Sequence, residues 1–297
     1  MKEAKPLVSI IVNCYNGEKF LEECLNSIKN QTYKSWELIF WDNKSSDNSS
    51  KIFKKFKDRR FKYFLSKKKT VLYEARNLAI KKAKGKFLAF LDVDDYWDNK
   101  KLSLQIPKFK NKKIGLVYSN FYKYYNNNKK VIAFKNKLPS GKVTSAIIKN
   151  YQIGFLTVVI RKSFLDKTKL FDFKYDLLSD YAFILNFSLK YKFIGINKPL
   201  ASYRIHVEQL QKKKMVLQAK QFCQWVDKKN IKKKFKNYDL TTLKKRYEYY
   251  SLIKELNNSK IKLFLKLFKK FSFVQFIKIS AFIFLPRKLI FKFMDNV

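Results

Sequence analysis

The amino-acid sequence predicts an α/β fold with a doubly wound, mostly parallel sheet, followed by a C-terminal helical extension. Short apolar runs alternate with segments of helical spacing through about the first hundred of the 297 residues. Polar clusters follow three of those runs, at predicted carboxyl ends of strands, where open parallel sheets bind ligands. Beyond about residue 210 the sequence becomes basic and helical. We therefore predict one domain over residues 1–210 and a second region over residues 211–297.

The individual elements follow from the spacing of apolar side chains. Continuous β-branched and aromatic runs predict buried strands, whereas apolar positions three and four residues apart predict helices. The predicted strands are residues 7–12, 36–41, 61–65, 87–91, 114–125, 131–134, 154–161 and 193–203, the last bent at Pro199. The predicted helices are residues 20–28, a short one through 52–56, 74–83 stopped by Gly85, 180–191, and a basic one over 212–236.

Composition limits the classes of protein that the chain can be. Apolar residues make up 46% and aromatic residues 17%, which is enough for a large core and excludes wholesale disorder. Lys and Arg number 66 against 23 Asp and Glu, so the formal net charge is +43. Such a surface attracts polyanions, namely nucleic acid, anionic lipid or a phosphate-bearing ligand. The abundance of Lys, Asn, Ile, Phe and Tyr also fits an AT-rich genome, so the charge alone identifies no partner.

The cysteine, histidine and hydropathy patterns limit the kinds of structural site and the cellular compartment that we expect. Three cysteines without CxxC spacing and a single histidine, His206, argue against a disulfide framework and a structural zinc site. The first twelve residues resemble a strand rather than a signal peptide, and no run of about 18 uncharged apolar residues occurs. We expect a cytoplasmic protein.

The segment from residue 260 to residue 294 is basic and apolar and has no acidic residue before Asp295. One face of the predicted helix carries the lysines Lys262, Lys266, Lys269 and Lys270. The opposite face carries the apolar side chains Ile261, Phe264, Leu265 and Phe268. This pattern predicts an interfacial helix on an anionic membrane surface. The alternative is a helix packed on its own domain or on a second copy of the chain.

Asp92-Val93-Asp94-Asp95 directly follows a predicted strand. A turn at the end of a strand can bring two such carboxylates around one divalent cation, which often shares its oxygen ligands with substrate phosphates. Taken alone the pattern is weak, because a polar turn with a helix cap before Trp97 would look the same.

Five further stretches accompany this one, and together the six resemble the family 2 glycosyltransferases, which have the GT-A fold. They are Val8–Asn16, Trp41–Asp47, Ala75-Arg76-Asn77, Phe90–Asp95, Ser179-Asp180-Tyr181 and Tyr203-Arg204-Ile205-His206. The resemblance extends over about residues 6–210. It implies an inverting, metal-dependent transfer from a nucleotide-diphospho-sugar, a UDP-sugar, to a hydroxyl of a cell-surface glycan: a polysaccharide, a lipopolysaccharide or a lipid-linked oligosaccharide.

The resemblance also implies roles for residues near the nucleotide. Asn13 to Asn16 would wrap the base, with Tyr15 packing on it. Asp42 would accept a hydrogen bond from the base, and Arg76 would help to hold the nucleotide. Each has an ordinary alternative, namely a loop aromatic, the end of a strand, or a solvated helix residue.

Roles in the chemistry are implied in the same way. Asp92 would face the ribose and the metal, and Asp94 would ligate Mn²⁺ or Mg²⁺. Asp180 matches the catalytic base, which a poorly nucleophilic hydroxyl needs; its alternative is a helix N-cap. Arg204 and His206 match the motif that closes over the diphosphate, although His206 could instead have a packing role.

The sequence departs from the family pattern at four positions. Asn13 stands where Pro is usual, Asn43 where a second Asp is common, Val71 where Gly is frequent, and Ser179 where Glu often precedes the base. These departures leave the proposed metal ligands and base in place. They bear on the donor contacts near Asp42 and on the approach of the loop over residues 67–73.

Two other classes of function remain open from the residues alone. A phosphatase or phosphotransferase can also place a D-x-D motif after an apolar strand, although Asp95-Tyr96 departs from the residues expected after it. A basic nucleic-acid-binding protein would cluster cations and aromatics on one exposed face. Under the transferase hypothesis, we expect peripheral association with the inner membrane face and a lipid-linked acceptor, and no specific nucleic acid.

Overall fold

One sheet forms the centre of the chain. The computed structural model describes residues 6–125, 128–165, 170–206, 215–241, 243–245 and 247–248. Its strands are Val8–Cys14 (β1), Trp36–Asp42 (β2), Phe61–Leu65 (β3), Phe87–Phe90 (β4), Tyr96–Trp97 (β5), Ile114–Tyr125 (β6), Lys130–Ile132 (β7), Val159–Arg161 (β8) and Lys192–Ile205 (β9). Its α-helices are Glu18–Lys29 (α1), Ser49–Lys54 (α2), Leu72–Lys82 (α3), Lys101–Gln105 (α4), Thr144–Lys149 (α5), Ser179–Ser188 (α6), Met215–Asp227 (α7) and Lys229–Lys234 (α8).

The first half of the sheet is parallel and matches the prediction. Strands β3, β2, β1 and β4 lie side by side and all pair in parallel. The apolar side of α1 packs on one face of β1, where Leu21 and Leu25 join Val8 and Ile10 in the core. Helix α3 contacts the same strands and buries Ala79. An α/β fold is therefore confirmed, with both faces of the parallel strands covered as such sheets require.

The second half of the sheet is mixed, so the expectation of a mostly parallel sheet holds only for the first half. Strand β8 runs antiparallel to both β4 and β6, whereas β6 and β9 are parallel and β5 is antiparallel to β9. The bend expected at Pro199 is present as a shift of register opposite Asn120. Proline fits such an irregularity because it cannot donate to the ladder.

Two local predictions are wrong for physical reasons. The strand expected over residues 154–161 is a 3₁₀ turn, Phe155–Thr157, followed by the shorter β8. The Thr157 hydroxyl donates to the Gly154 carbonyl at 2.7 Å, which stabilises the turn. Gly85 does not cap α3, since Ala83 already has an extended backbone. Glycine is needed at position 85 for another reason: a Cβ there would lie 2.5 Å from the backbone nitrogen of Ser9.

Contacts divide the chain into two compact units, Met1–Gln209 and Leu210–Val297. In the second unit, α7 and α8 bury Phe222, Trp225 and Phe235. The predicted helix over residues 212–236 is thus two helices in the part that the structure describes. No helix within the described ranges is long and apolar enough to cross a bilayer. The predicted interfacial segment, residues 260–294, lies outside the described residues, and the assignment of roles to the two regions stays a prediction.

Candidate active site

The loop after β1 is hydrogen-bonded to the loop after β2, so the two form one rim at the carboxyl end of the sheet. Asn16 has a left-handed backbone with φ 53°, which asparagine tolerates better than most residues. Its side-chain Oδ1 accepts a hydrogen bond from the Ser46 backbone N–H at 2.9 Å, and its own N–H donates to the Ser45 hydroxyl at 3.1 Å. These bonds fix the loop that the resemblance assigns to the nucleobase.

Tyr15 and Asn13 differ in what they offer to a ligand. The Tyr15 side chain is 44% exposed, and the Lys69 ammonium lies 3.6 Å from its ring centroid. Asn13 is buried, and its amide nitrogen has no hydrogen-bond partner among the described residues. A buried donor without a partner costs free energy unless a ligand or water fills the place. The roles predicted for both residues stay predictions.

Asp42 is bound on both carboxylate oxygens by the protein itself. Oδ1 accepts the Ser45 backbone N–H at 2.7 Å, and Oδ2 accepts the Tyr63 hydroxyl at 2.5 Å. The residue is 1% exposed. Its carboxylate thus binds the loop after β2 and the middle of β3. A contact between Asp42 and a nucleobase stays a prediction.

The neighbouring Asn43 holds the loop between β3 and α3. Its amide nitrogen donates to the Thr70 carbonyl at 2.8 Å, while its oxygen accepts the Thr70 backbone N–H and hydroxyl, each at 3.1 Å. An aspartate here could accept but could not donate. The departure from the family pattern therefore has a structural reason: an amide satisfies both backbone groups of Thr70.

The acidic turn after β4 is packed closely against the first loop. A Cβ on Gly17 would lie 2.9 Å from Val93, so glycine permits the close approach. Asp92 makes an ion pair with Arg76, whose Nη2 lies 2.5 Å from Oδ1. The Arg76 side chain is 4% exposed against 40% for Asp92. Asp92 is thus the more exposed member of the ion pair and Arg76 is buried behind it. A contact of Arg76 with a nucleotide stays a prediction.

The end of β9 binds to the same turn through three contacts. The Arg204 backbone N–H donates to Asp95 Oδ1 at 2.9 Å, and its Nε donates to the Asp94 carbonyl at 3.0 Å. His206 Nε2 lies 3.0 Å from Asp94 Oδ2. Phe20 of α1 lies against both side chains, with its ring centroid 4.6 Å from the Arg204 guanidinium carbon and 5.4 Å from the His206 centroid. The structure therefore brings the predicted Arg204 and His206 to the predicted metal ligand.

The acidic turn concentrates negative charge that a cation would relieve. Burial raises the pKa of Asp94, the nearby charge of Asp92 raises it further, and the hydrogen bond from His206 acts in the opposite direction. Burial raises the pKa of Asp95 well above its usual range, and Asp94 and Asp92 add to this. Two like charges in one site favour protonation or a bound cation.

The donor set fits Mn²⁺ or Mg²⁺. Asp94 supplies a carboxylate oxygen, the hard donor that both cations prefer, and in this structure His206 Nε2 is hydrogen-bonded to it at 3.0 Å. Within the described residues no group of three or more acidic, histidine or cysteine side chains is placed to hold a metal alone. A cation at Asp94 would therefore take further ligands from substrate and water, as Mg²⁺ commonly does.

Asp180 comes from a distant part of the sequence, and the charge of Asp92 in this turn contributes to raising its pKa. It is the second residue of α6, whose N-cap is Leu178, so the alternative of an N-cap role for Asp180 is wrong. Its Oδ1 accepts the Tyr181 backbone N–H at 2.7 Å. Burial raises the pKa of Asp180, and the Arg76 charge is the largest opposing influence.

Helix α3 joins the two acidic groups, and sequence reasoning missed part of this. Besides Arg76, it carries Tyr73, whose ring centroid lies 5.4 Å from that of Phe171, and Asn77. The Asn77 amide donates to the Phe171 carbonyl at 2.8 Å and accepts the Phe171 N–H at 3.0 Å. A sequence signal existed, because Tyr73, Arg76 and Asn77 recur at spacings of three and four and so share one helical face.

Comparison with known proteins identifies the family. The model of "Glycosyl transferase family 2" matches residues 9–167, more than half of the chain. The chain belongs to this family and is a glycosyltransferase. The phosphatase and nucleic-acid alternatives are set aside on this ground.

Relatives and solved structures agree with the assignment. The chain is 38% identical over 175 residues (59% of this chain, 67% of the other) to the Escherichia coli "UDP-Glc:alpha-D-GlcNAc-diphosphoundecaprenol beta-1,3-glucosyltransferase WfgD". It is 36% identical over 203 residues (67% and 78%) to an E. coli enzyme of the same description, WfaP. S. aureus TarS 1–349 in complex with UDP has TM-score 0.57 at 21% identity, with 90% of this chain and 76% of that one covered. Mannosyltransferase PcManGT from Pyrobaculum calidifontis, in complex with GDP-Man and Mn²⁺, has TM-score 0.61 at 13% identity (98% and 84%). These two structures support the GT-A fold.

Proposed function

We propose that the enzyme transfers glucose from UDP-glucose, with inversion, to a hydroxyl of a lipid-linked saccharide. The names of the E. coli relatives WfgD and WfaP, which specify UDP-Glc and a GlcNAc-diphosphoundecaprenol acceptor, support this donor and acceptor class. Glucose in UDP-glucose is α-linked, so a β-linked product requires inversion at the anomeric carbon.

One observation carries the proposal. Asp92, in the turn after β4, makes an ion pair with Arg76 at 2.5 Å, and the charge of Arg76 opposes the rise that burial causes in the pKa of Asp180 on α6. We infer that the acidic turn and the candidate base border one crevice at the carboxyl end of the parallel strands, as a single in-line displacement needs.

The candidate base is suited to take up a proton. The acceptor hydroxyl is a poor nucleophile until its proton leaves, and Asp180 Oδ would accept that proton as the new C–O bond forms. Burial raises the pKa of Asp180, which makes its carboxylate a better proton acceptor than a solvated aspartate. Since the base must be ionised, transfer is expected to fall as pH decreases through this raised pKa.

The leaving group is a nucleoside diphosphate, and the opposite side of the crevice would stabilise its charge. Asp94 and His206 would hold a divalent cation, which when bound neutralises charge on the departing diphosphate. Arg204 lies beside Asp94, with its guanidinium carbon 4.6 Å from the Phe20 centroid and 5.1 Å from the Tyr124 centroid, and makes an ion pair with Glu23. We propose that its guanidinium turns from Glu23 to the diphosphate when the donor binds. Asp95 keeps Arg204 in place through its backbone.

A lipid-linked acceptor would be met at a membrane surface. We propose that the basic face over residues 262–270 binds anionic lipid at the inner membrane face, because each lysine near such a surface contributes about 1 kcal/mol. The full chain should float with vesicles containing anionic lipid and not with neutral vesicles. Replacing Lys262, Lys266, Lys269 and Lys270 by Gln should weaken flotation at least about ten-fold. Unchanged flotation would contradict this role. The control replaces four lysines of the first unit that have exposed side chains: Lys51, Lys54, Lys55 and Lys57.

The reaction itself can be tested with defined substrates. The purified chain is incubated with a GlcNAc-diphospholipid, Mn²⁺, and UDP-glucose, UDP-GlcNAc or GDP-mannose in turn, and the product linkage is read by NMR. We expect a β-linked glucosyl product from UDP-glucose. Turnover from another donor alone, or an α-linked product, would contradict the proposal.

A further inference from the structure

Glu23 of α1 makes an ion pair with Arg204 near the end of β9. The terminal nitrogen Nη2 of Arg204 donates to Glu23 Oε2, across 181 positions of the sequence. The Arg204 side chain is 12% exposed and that of Glu23 is 52% exposed. Phe20, one turn earlier on α1, places its ring centroid 4.6 Å from the guanidinium carbon. Helix α1 therefore presents an aromatic ring and a carboxylate to the same guanidinium.

The rest of Arg204 is held by groups other than Glu23. Its backbone N–H donates to Asp95 Oδ1 at 2.9 Å, and its Nε donates to the Asp94 carbonyl at 3.0 Å. The Tyr124 ring centroid lies 5.1 Å from the guanidinium carbon. The backbone and Nε are thus bound to the acidic turn, whereas Glu23 binds the far end of the guanidinium from the surface of α1. Nη2 can therefore change its partner while the rest of the side chain keeps its place.

A diphosphate bound at Asp94 would compete with Glu23 for this guanidinium. Carboxylate and phosphate oxygens are both acceptors that arginine binds well. The ion pair with Glu23 is easily given up, because half of the Glu23 side chain is exposed and exposed ion pairs are weak. A carboxylate charge that stays beside a bound diphosphate also repels it. Removal of the Glu23 charge should therefore strengthen the binding of a diphosphate rather than weaken it.

We propose that Glu23 is a positioning residue that competes with the diphosphate for Arg204: it holds the guanidinium beside the acidic turn in the empty site and takes it back as UDP leaves. This inference rests on the proposed function. The exchange replaces one anionic partner of Arg204 by another, so the Glu23 charge lowers the affinity for UDP and favours its release. A contact with a structural role alone would act in the opposite direction, since its loss would weaken UDP binding.

The test compares Glu23→Gln with Glu22→Gln. Glu22 is an exposed neighbour on α1, so each variant removes one negative charge from the same helix. For Glu23→Gln we expect the Kd of UDP with Mn²⁺, read by calorimetry, to be about three-fold lower than for Glu22→Gln, which is the size of effect that exposed ion pairs have. The constant for inhibition of the transfer by its product UDP should fall by the same factor.

The variant Arg204→Gln tests whether the effect passes through the guanidinium. In that background, Glu23→Gln and Glu22→Gln should give the same Kd of UDP, because no guanidinium remains to be exchanged. A Kd for Glu23→Gln equal to or higher than that for Glu22→Gln would overturn the proposal, as would a three-fold difference that persists without Arg204. Failure of the proposed function would look different: the wild-type enzyme would give no transfer from UDP-glucose, whereas the comparison of Kd values needs UDP alone.

Discussion

The two halves of the sheet deliver their carboxylates to the crevice in different ways. In the parallel half, Asp92 and Asp94 lie within four residues of the end of β4, and the loops after the neighbouring strands β1 and β2 are hydrogen-bonded to each other. In the mixed half, Asp180 arrives on α6 after a long connection from β8. Helix α3 holds this connection through the two hydrogen bonds between Asn77 and Phe171.

This difference shows which part of the site is local in sequence and which part depends on tertiary contacts. A strand end fixes the direction of the residues that follow it, so the acidic turn is determined within a few residues. The base depends on contacts across roughly a hundred residues. Changes in the parallel half should therefore disturb donor binding, whereas changes at α3 should affect both carboxylates.

The largest expected effect comes from the acidic turn. Asp94→Asn removes the carboxylate that lies 3.0 Å from His206 and would hold the cation. We expect transfer to fall by about 10²-fold or more. In calorimetry, the gain in UDP affinity that Mn²⁺ gives the wild type should disappear. A variant in which Mn²⁺ still strengthens UDP binding normally would show that the cation lies elsewhere.

An intermediate effect is expected at Arg76, where the two regions meet. Arg76→Met leaves Asp92 and Asp180 without their shared cation. Loss of a charged hydrogen-bond partner costs about 2 kcal/mol of the free energy of unfolding when the remaining carboxylate is partly solvated. The thermal midpoint should fall by about 5 °C, and both UDP affinity and kcat should decrease. If only the UDP affinity or only kcat changed, Arg76 would not join the two carboxylates.

The smallest expected effect is confined to one loop. Asn43→Ala removes three hydrogen bonds to Thr70 and should destabilise the closed loop by about 1 kcal/mol, because water can replace part of them. Trypsin cleavage after Lys67, Lys68 or Lys69 should become about five-fold faster. Asn48→Ala, which removes a bond to Glu18 outside this loop, is the control. Equal cleavage of the two variants would show that Asn43 does not hold the loop.

The sequence predicted the parallel half closely because its signals are local. The strand predicted at residues 61–65 has the same bounds as β3, and the bounds of β1, β2 and α3 differ from the prediction by no more than two residues at each end. Continuous apolar runs and polar strand ends determine these elements within short windows. The same windows located Asp92 and Asp94, although not the packing of Gly17 against Val93 that positions the turn.

The mixed half was predicted less well because its structure depends on long-range contacts. Residues 154–161 have the β-branched composition of a strand, but the tertiary environment of Gly154 and Thr157 turns the first part into a 3₁₀ helix. The resemblance supplied Asp180, yet no local pattern indicates that Asn77 of α3 binds Phe171 on the connection that leads to it. Roles at Asp42 and Arg76 were assigned to ligand contacts, whereas the structure shows bonds within the protein that a motif alone does not reveal.

The most direct test of the account separates donor binding from transfer in Asp180→Asn. Asp172→Asn is its matched control, because Asp172 is an exposed aspartate earlier on the same connection. The account predicts that Asp180→Asn binds UDP with Mn²⁺ as tightly as the wild type and transfers glucose at least about 10²-fold more slowly, while Asp172→Asn behaves normally in both measurements. Wild-type transfer by Asp180→Asn would contradict the claim that this carboxylate and the acidic turn serve one reaction.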